Sequence, residues 1–249
     1  MSGSAPAGAS WVASAPARLD DATAFVLRTL GRTDYERCWR AMQAWTDARS
    51  ADTPDELCIT EHPPVYTLGL AGRREHLLRE GAIATLKVDR GGQVTYHGPG
   101  QLVVYVLVDL HRAKLGVRDL VRRLEGGVVQ WLDSLGISAR GKPEAPGVYV
   151  TRDGVEAKIA ALGLKVRNGR TYHGVALNLR MDLGPYADID PCGYPGLAVT
   201  QVADFVAAPA VDEAGVSFAP ILAAAIRGAD RPVASAPPPN ASNARRPTR

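Results

Sequence analysis

The sequence predicts an α+β fold in which a mixed, mainly antiparallel sheet is packed with helices. Three observations carry this. The run Gln101-Leu102-Val103-Val104-Tyr105-Val106-Leu107-Val108 is almost unbroken in its apolar character, as a strand buried on both faces requires. Two hairpin signals follow, Asp153-Gly154 and Asn168-Gly169, each set between apolar runs; such dipeptides supply the positive φ angles of tight antiparallel turns. Finally, helical and strand patterns do not alternate regularly and no internal repeat is present, which argues against a doubly wound parallel sheet.

Taken in order, the first helix is expected from Tyr35 to near Arg49. Thr33-Asp34-Tyr35-Glu36 reads as a capping box with Thr33 as N-cap and Glu36 reaching back. Tyr35, Cys38, Trp39, Met42 and Trp45 then recur at helical spacing. Short strands are expected at Leu57 to Thr60, ended by His62-Pro63-Pro64, and at Val65 to Leu68. After the central strand, Val117, Leu120, Val121, Leu124, Val128, Trp131, Leu132 and Leu135 keep one helical stripe that closes near Gly136, with Gly126-Gly127 inside it. A three-stranded meander spans about Gly147 to Leu179. Short helices are expected near Leu197–Phe205 and Ala219–Arg227.

The ends differ from the middle. Residues 1–17 are built from Ser, Ala, Gly and Pro, and residues 229–249 are rich in Pro, Ala and Arg. Neither buries enough apolar surface to offset chain entropy, so both read as disordered tails around a single domain over 18–228. A net charge of +3, with Arg245, Arg246 and Arg249 in the tail, gives no fold-wide basic surface for nucleic acid. No apolar run approaches membrane-spanning length, and the N-terminus lacks the pattern of a secretory signal. Three widely spaced cysteines without a C-x-x-C pair argue against a disulfide scaffold and fit a reducing cytoplasm. No exposed apolar stripe asks for a partner, so a monomer is expected.

Four stretches carry candidate chemistry. Arg90 to Gln101 packs four glycines and a proline just before the buried strand, marking a tight loop whose backbone can approach a ligand; it lacks the phosphate-loop pattern. Lys158 sits in an apolar strand. Two readings stay open for it: an edge-strand lysine with its head in water, or a partly buried lysine acting as base or local cation. His173 lies near the start of the strand expected beside Lys158, where a structural role is the commoner one. Cys192 stands between Pro191 and Gly193, in a turn rather than among core residues, and a turn cysteine is a candidate reactive thiol. Cys38 and Cys58, on a helix stripe and in a strand, read as core.

Together these stretches are more specific. Arg90–Gln101 (RGGQVTYHGPGQ), Ala145-Pro146-Gly147-Val148-Tyr149-Val150, Lys158–Gly163 (KIAALG), His173–Asn178 (HGVALN), Leu179-Arg180-Met181-Asp182-Leu183 and Pro191-Cys192-Gly193-Tyr194 occur in the order and spacing of the lipoyl(octanoyl) transferases, which the chain resembles from about Tyr35 to Val202. The resemblance implies a fold like the catalytic domain of biotin and lipoate protein ligases. It implies Cys192 as the acyl-thioester residue and Lys158 as its catalytic partner. It further implies acyl binding by Arg90, Gly91, Gly92, Gln93, Val94, Thr95, Tyr96 and His97, by Ala161, Leu162 and Gly163, and by Gly174, Val175 and Ala176. The implied donor is octanoyl-acyl carrier protein, and the acceptors are lipoyl domains of 2-oxoacid dehydrogenase complexes and the glycine cleavage H protein.

A thioester is already activated, so the implied chemistry asks for neither cofactor nor metal. A nearby ammonium at Lys158 favours the thiolate of Cys192, and the same lysine, once neutral, can accept a proton from the incoming amine. His97 is expected to support loop and pocket. Leu162, Val175 and Leu177 are candidates to line an acyl tunnel, with plain core the safer reading for Leu177. Three further readings compete, one of them a non-catalytic relative that holds an acylated domain without turnover, whose mark would be loss of Cys192 or Lys158. An ATP-dependent lipoate–protein ligase shares the fold group but needs no cysteine. A zinc hydrolase built on His97 and His173 lacks a third ligand of suitable spacing.

Overall fold

In the computed structural model, residues 17–19, 25–79, 81–191 and 196–228 are described. The expected tails therefore lie outside the described residues, except Ala17, which belongs to a short strand β1 (Ala17–Arg18) paired with Leu27. The other elements are β2 (Phe25–Arg32), α1 (Tyr35–Ala48), β3 (Asp55–Glu61), β4 (Val65–Leu68), β5 (Ala84–Lys87), β6 (Val94–His97), β7 (Gln101–Leu107), α2 (Leu110–Ala113), α3 (Val117–Ser134), β8 (Ala139–Gly141), β9 (Val148–Arg152), β10 (Val155–Arg167), β11 (Arg170–Asn178) and α4 (Val211–Arg227).

Eight strands form one sheet in the order β1-β2-β3-β7-β11-β10-β9-β8, in which only the β2–β3 pair is parallel among the described residues. A three-stranded sheet, β5-β4-β6, packs against it. The expected α+β class thus holds. The central strand behaves as its composition requires: Leu102, Val104 and Val106 face one core with α3 and α4, while Val103, Tyr105 and Leu107 face a second core under α1 and the small sheet. Each such buried side chain contributes roughly 1.5–3 kcal/mol. Both hairpins form where the turn dipeptides stand, with Arg152 opposite Val155 and Arg167 opposite Arg170; Asp153, Gly154, Asn168 and Gly169 all take positive φ.

Several local expectations are corrected. Asp34, not Thr33, caps α1, its carboxylate accepting from Arg37 N at 2.9 Å. The Thr33 hydroxyl is engaged instead by Thr60 Oγ1 (2.7 Å) and Cys38 Sγ (3.0 Å), and Glu36 pairs with Arg40 rather than reaching back. The Gly-rich stretch is not all loop, because its middle forms β6. Around Leu197–Phe205 only a 3-10 turn, Val202–Asp204, is present; the residues before it are extended and hydrogen-bonded to the backbone of Lys158. The last helix starts at Val211, well before Ala219. Gly215 and Pro220 obscured it in the sequence, yet Gly215 abuts Ile59, where a Cβ would meet the side chain at 2.5 Å. Pro220 lies on the exposed face, where water can meet the carbonyl it leaves without a donor.

Candidate active site

The loop before β6, β6 itself, and the facing segments of β10 and β11 border a narrow cleft. Its rim is formed by partly exposed residues, Gly92, Gln93, Ala161, Leu162 and Gly163. Its interior is buried and closed by Tyr35 from α1, Val103 and Tyr105 from β7, and His97 and His173. Twelve of the residues named for acyl binding border this space: Arg90, Gly92, Gln93, Val94, Thr95, His97, Ala161, Leu162, Gly163, Gly174, Val175 and Ala176. Gly91 and Tyr96 do not. Gly91 donates its N–H to Leu164 O at 2.8 Å and ties the loop to β10. The Tyr96 ring turns to the other side of β6, against Tyr66 and Tyr186, as strand alternation demands. Of the proposed tunnel residues, Leu162 and Val175 border the cleft, whereas Leu177 is wholly buried in the main core.

Polar groups in the cleft are engaged by the protein itself. The Arg90 guanidinium donates to Thr67 O (2.7 Å), Thr67 Oγ1 (2.8 Å) and Gly91 O (3.0 Å), bracing the Gly-rich loop on β4. His97 Nδ1 lies 2.7 Å from Gln101 Oε1, and its ring stacks on Tyr35 at 5.1 Å. Burial holds its pKa well below the usual histidine value, so it is a neutral, oriented wall residue. His173 has φ +61, a left-handed conformation that costs free energy for a residue with a Cβ. It is held there by Asp89 Oδ1, 2.9 Å from Nε2. Asp89 also accepts from Trp39, Gln43 and Tyr172. Burial pushes its carboxyl up, but these donors outweigh burial and keep it well below the usual carboxylate range.

Lys158 is not an edge-strand lysine. Beyond it the sheet continues through β9 and β8, and on its other side Lys158 N donates to Ala198 O (2.8 Å) while Lys158 O accepts from Thr200 N (3.0 Å). The residue is 4% exposed. Its Nζ donates to Pro146 O at 3.3 Å and lies 5.0 Å above the Tyr149 ring. Gly147, at φ +148, makes this possible, since a Cβ there would stand 2.8 Å from Lys158 Cε. A smaller pocket joins Lys158 to Thr95, Ala161, Asn178, Tyr186 and Pro191. Thr95 and Ala161 border both spaces, so the lysine sits at the junction with the cleft. Cys192 lies outside the described residues; Pro191, which precedes it in the chain, lines the lysine pocket. Cys38 and Cys58 are buried, and burial pushes both thiols up, which suits core residues.

Sequence reasoning missed Tyr35, Tyr105, Asp89 and Glu125. Tyr35 and Tyr105 were hidden as members of apolar stripes. Asp89 directly precedes Arg90, and Glu125 is a charged residue on the buried stripe of α3, so each carried a local signal. Among the described residues no group of three His, Cys, Asp or Glu side chains is placed to hold a metal ion, and no helix is long and apolar enough to cross a membrane.

Comparison with known proteins agrees with this architecture. Residues 34–219 match the family model described as lipoyl protein ligase A/B catalytic domain. An octanoyltransferase of Aromatoleum aromaticum is 59% identical over 192 residues, covering 77% of this chain and 81% of that protein. One of Chromobacterium violaceum is 55% identical over 197 residues, covering 79% and 93%. Among solved structures, the bi-partite lipoate protein ligase of Thermoplasma acidophilum, solved in a study with its E2 lipoyl domain, superposes with a TM-score of 0.65 at 20% identity, covering 80% of this chain and 82% of that one. A lipoate-protein ligase A bound with ATP gives 0.64 at 19% identity, covering 80% and 84%. At such identities these structures speak for the fold. This chain belongs to the lipoyl protein ligase A/B catalytic-domain family and, within it, groups with the octanoyltransferases.

Proposed function

We propose that the protein transfers an octanoyl group from acyl carrier protein to the lysine amine of lipoyl domains, through a thioester on Cys192. The observation that carries this is the burial of Lys158 at the junction of the cleft with a pocket that Pro191 also lines. The names of the relatives supply the acyl group.

In the first step the Cys192 thiolate attacks the donor thioester carbonyl. A carbon–sulfur bond forms to the enzyme, and the carrier thiol leaves as thiolate and takes up a proton. In the second step the acceptor amine attacks the acyl-enzyme. The amide forms, the Cys192 sulfur leaves, and the proton lost by nitrogen passes to a base. Lys158 serves both steps. As an ammonium it favours the thiolate; as an amine it takes the proton. Thioester exchange is nearly balanced, so amide formation sets the direction. The acyl chain lies in the cleft between Thr95 and Val175, with its thioester end toward Lys158. The acceptors are the lipoyl domains of 2-oxoacid dehydrogenase complexes and the glycine cleavage H protein, and the site of action is the cytoplasm. Among the described residues, the exposed large apolar side chains Leu70, Leu78, Val117, Val155, Val166 and Val216 come from several different elements rather than one stripe, which supports a monomer.

The test is incubation with octanoyl-acyl carrier protein and a lipoyl domain, without ATP. Acylated lipoyl domain is expected, along with a hydroxylamine-sensitive adduct of one octanoyl group on Cys192 when the acceptor is omitted. Cys192→Ala should lose both while keeping the fold. Strict dependence on ATP and free acid would replace this reading with a lipoate–protein ligase.

A further inference from the structure

Lys158 shares its surroundings with a buried acid that the proposed reaction does not use. Glu125, on α3, is 7% exposed. Its Oε1 accepts the Gly147 N–H at 2.8 Å. Gly147 is the residue whose missing Cβ admits the Lys158 side chain, and Pro146, just before it, offers the carbonyl that Lys158 Nζ reaches. Glu125 is itself accommodated by a glycine, since a Cβ on Gly141 would stand 3.1 Å from its Oε2. Glu125 and Pro146 also border a surface cleft on which Arg118, Arg122 and Lys142 stand.

The neighbouring charges are largely matched elsewhere. Glu156, two residues from Lys158 on β10, is engaged by Arg140 and Lys142. Lys142 Nζ lies 4.7 Å from the ring centre of Tyr149, the ring that Lys158 also approaches. Arg122 is paired with Asp119 at 3.1 Å. Burial raises the Glu125 carboxyl, and the Gly147 N–H and the charges of Lys158 and Arg122 offset only part of that rise.

We propose that Glu125 is a positioning residue for Lys158: it fixes the Pro146–Gly147 peptide that cradles the lysine, and its negative charge biases that lysine toward the ammonium form. A buried cation beside apolar strands is otherwise driven toward neutrality by desolvation. Glu125 thereby sets the fraction of lysine able to stabilise a thiolate. The consequence for catalysis rests on the octanoyl-transfer reading, whereas the effect on Lys158 stands apart from it.

The experiment uses the full chain labelled with 13C-lysine. The lysines are Lys87, Lys114, Lys142, Lys158 and Lys165, and loss of one signal in Lys158→Arg assigns the relevant one. Glu125→Gln keeps an acceptor for Gly147 N–H but removes the charge; Glu125→Ala removes both. In Glu125→Gln the Lys158 titration is expected to move down by about one unit, with the pH profile of ATP-independent octanoyl transfer moving down with it. In Glu125→Ala the Gly147 amide should also exchange faster. Unfolding midpoints of both variants show whether the fold is kept. A Lys158 titration identical to the parent in a folded Glu125→Gln protein overturns the proposal. A parent protein that fails to transfer octanoyl groups overturns the octanoyl-transfer reading instead and leaves the titration result standing.

Discussion

Tyr35 closes the buried end of the cleft with its ring stacked on His97 and its hydroxyl 3.5 Å from His173 Nδ1. A chain longer than the cleft would have to displace this ring or drive methylene groups against polar atoms. Tyr35→Leu removes the hydroxyl and shortens the wall without leaving a large void. The expected outcome is a rise of about tenfold in the kcat/KM ratio of decanoyl to octanoyl donor, since one or two methylene groups in an apolar pocket are worth that much. An equal loss for both donors would place the chain-length limit elsewhere. The sequence marked Tyr35 only as part of an amphipathic stripe, because the residues it meets come from β6 and β11, far along the chain. The reverse holds for the Gly-rich block. Its residues were legible as a site from composition and resemblance, but which ones face the cleft depends on strand alternation in β6, which a loop reading could not supply.

Among the elements, the α3–α4 contact shows how two adjacent glycines differ. A Cβ on Gly127 would stand 3.0 Å from Leu222 Cδ1 and 3.4 Å from Ala225 Cβ, whereas one on Gly126 meets nothing within 4 Å. Gly126→Ala is therefore expected to stabilise the protein by about 1 kcal/mol through helix propensity. Gly127→Leu should destabilise it by roughly 1–3 kcal/mol through overpacking. Chemical denaturation of the two variants measures both, and equal behaviour would show that the helices do not touch as described. The pair of glycines weakened the sequence case for α3, although the apolar stripe around them located it correctly. The hairpins and the central strand were legible because turn chemistry and apolar runs are local signals. Helix α4 was half hidden, because Gly215 and Pro220 break helices in isolation and are tolerated here by contact with Ile59 and by exposure.

Across the whole molecule, buried neutral histidines couple folding to pH. His62 uses both ring nitrogens, Nδ1 at 2.7 Å from the Thr33 carbonyl oxygen and Nε2 at 2.7 Å from the Tyr105 hydroxyl. Burial lowers its pKa from 6.5 to about 4. Between these values the unfolded chain binds a proton that the native one refuses, so stability rises with pH. The contribution is complete above pH 6.5 and is lost as pH falls toward 4, amounting to about 3 kcal/mol for this residue. His97 and His173 shift in the same direction. Tm measured from pH 8 to pH 4 should fall on the acid side, and His62→Gln should flatten part of that fall. A flat profile in the parent would contradict the neutral, buried assignment. Sequence alone could not foresee this coupling, because it arises where β3, β7 and the Thr33 backbone converge.

The backbone bonds that Lys158 exchanges with Ala198 and Thr200 have a mechanical meaning. Residues 198–200 are thus welded to the lysine's own peptide groups. Asp190, just before Pro191 of the lysine pocket, is fastened separately, its N donating to His76 O at 2.9 Å. Breathing of the outer strands then carries residues 198–200 and the lysine as one body, so Val199 keeps its place in the wall of the lysine pocket.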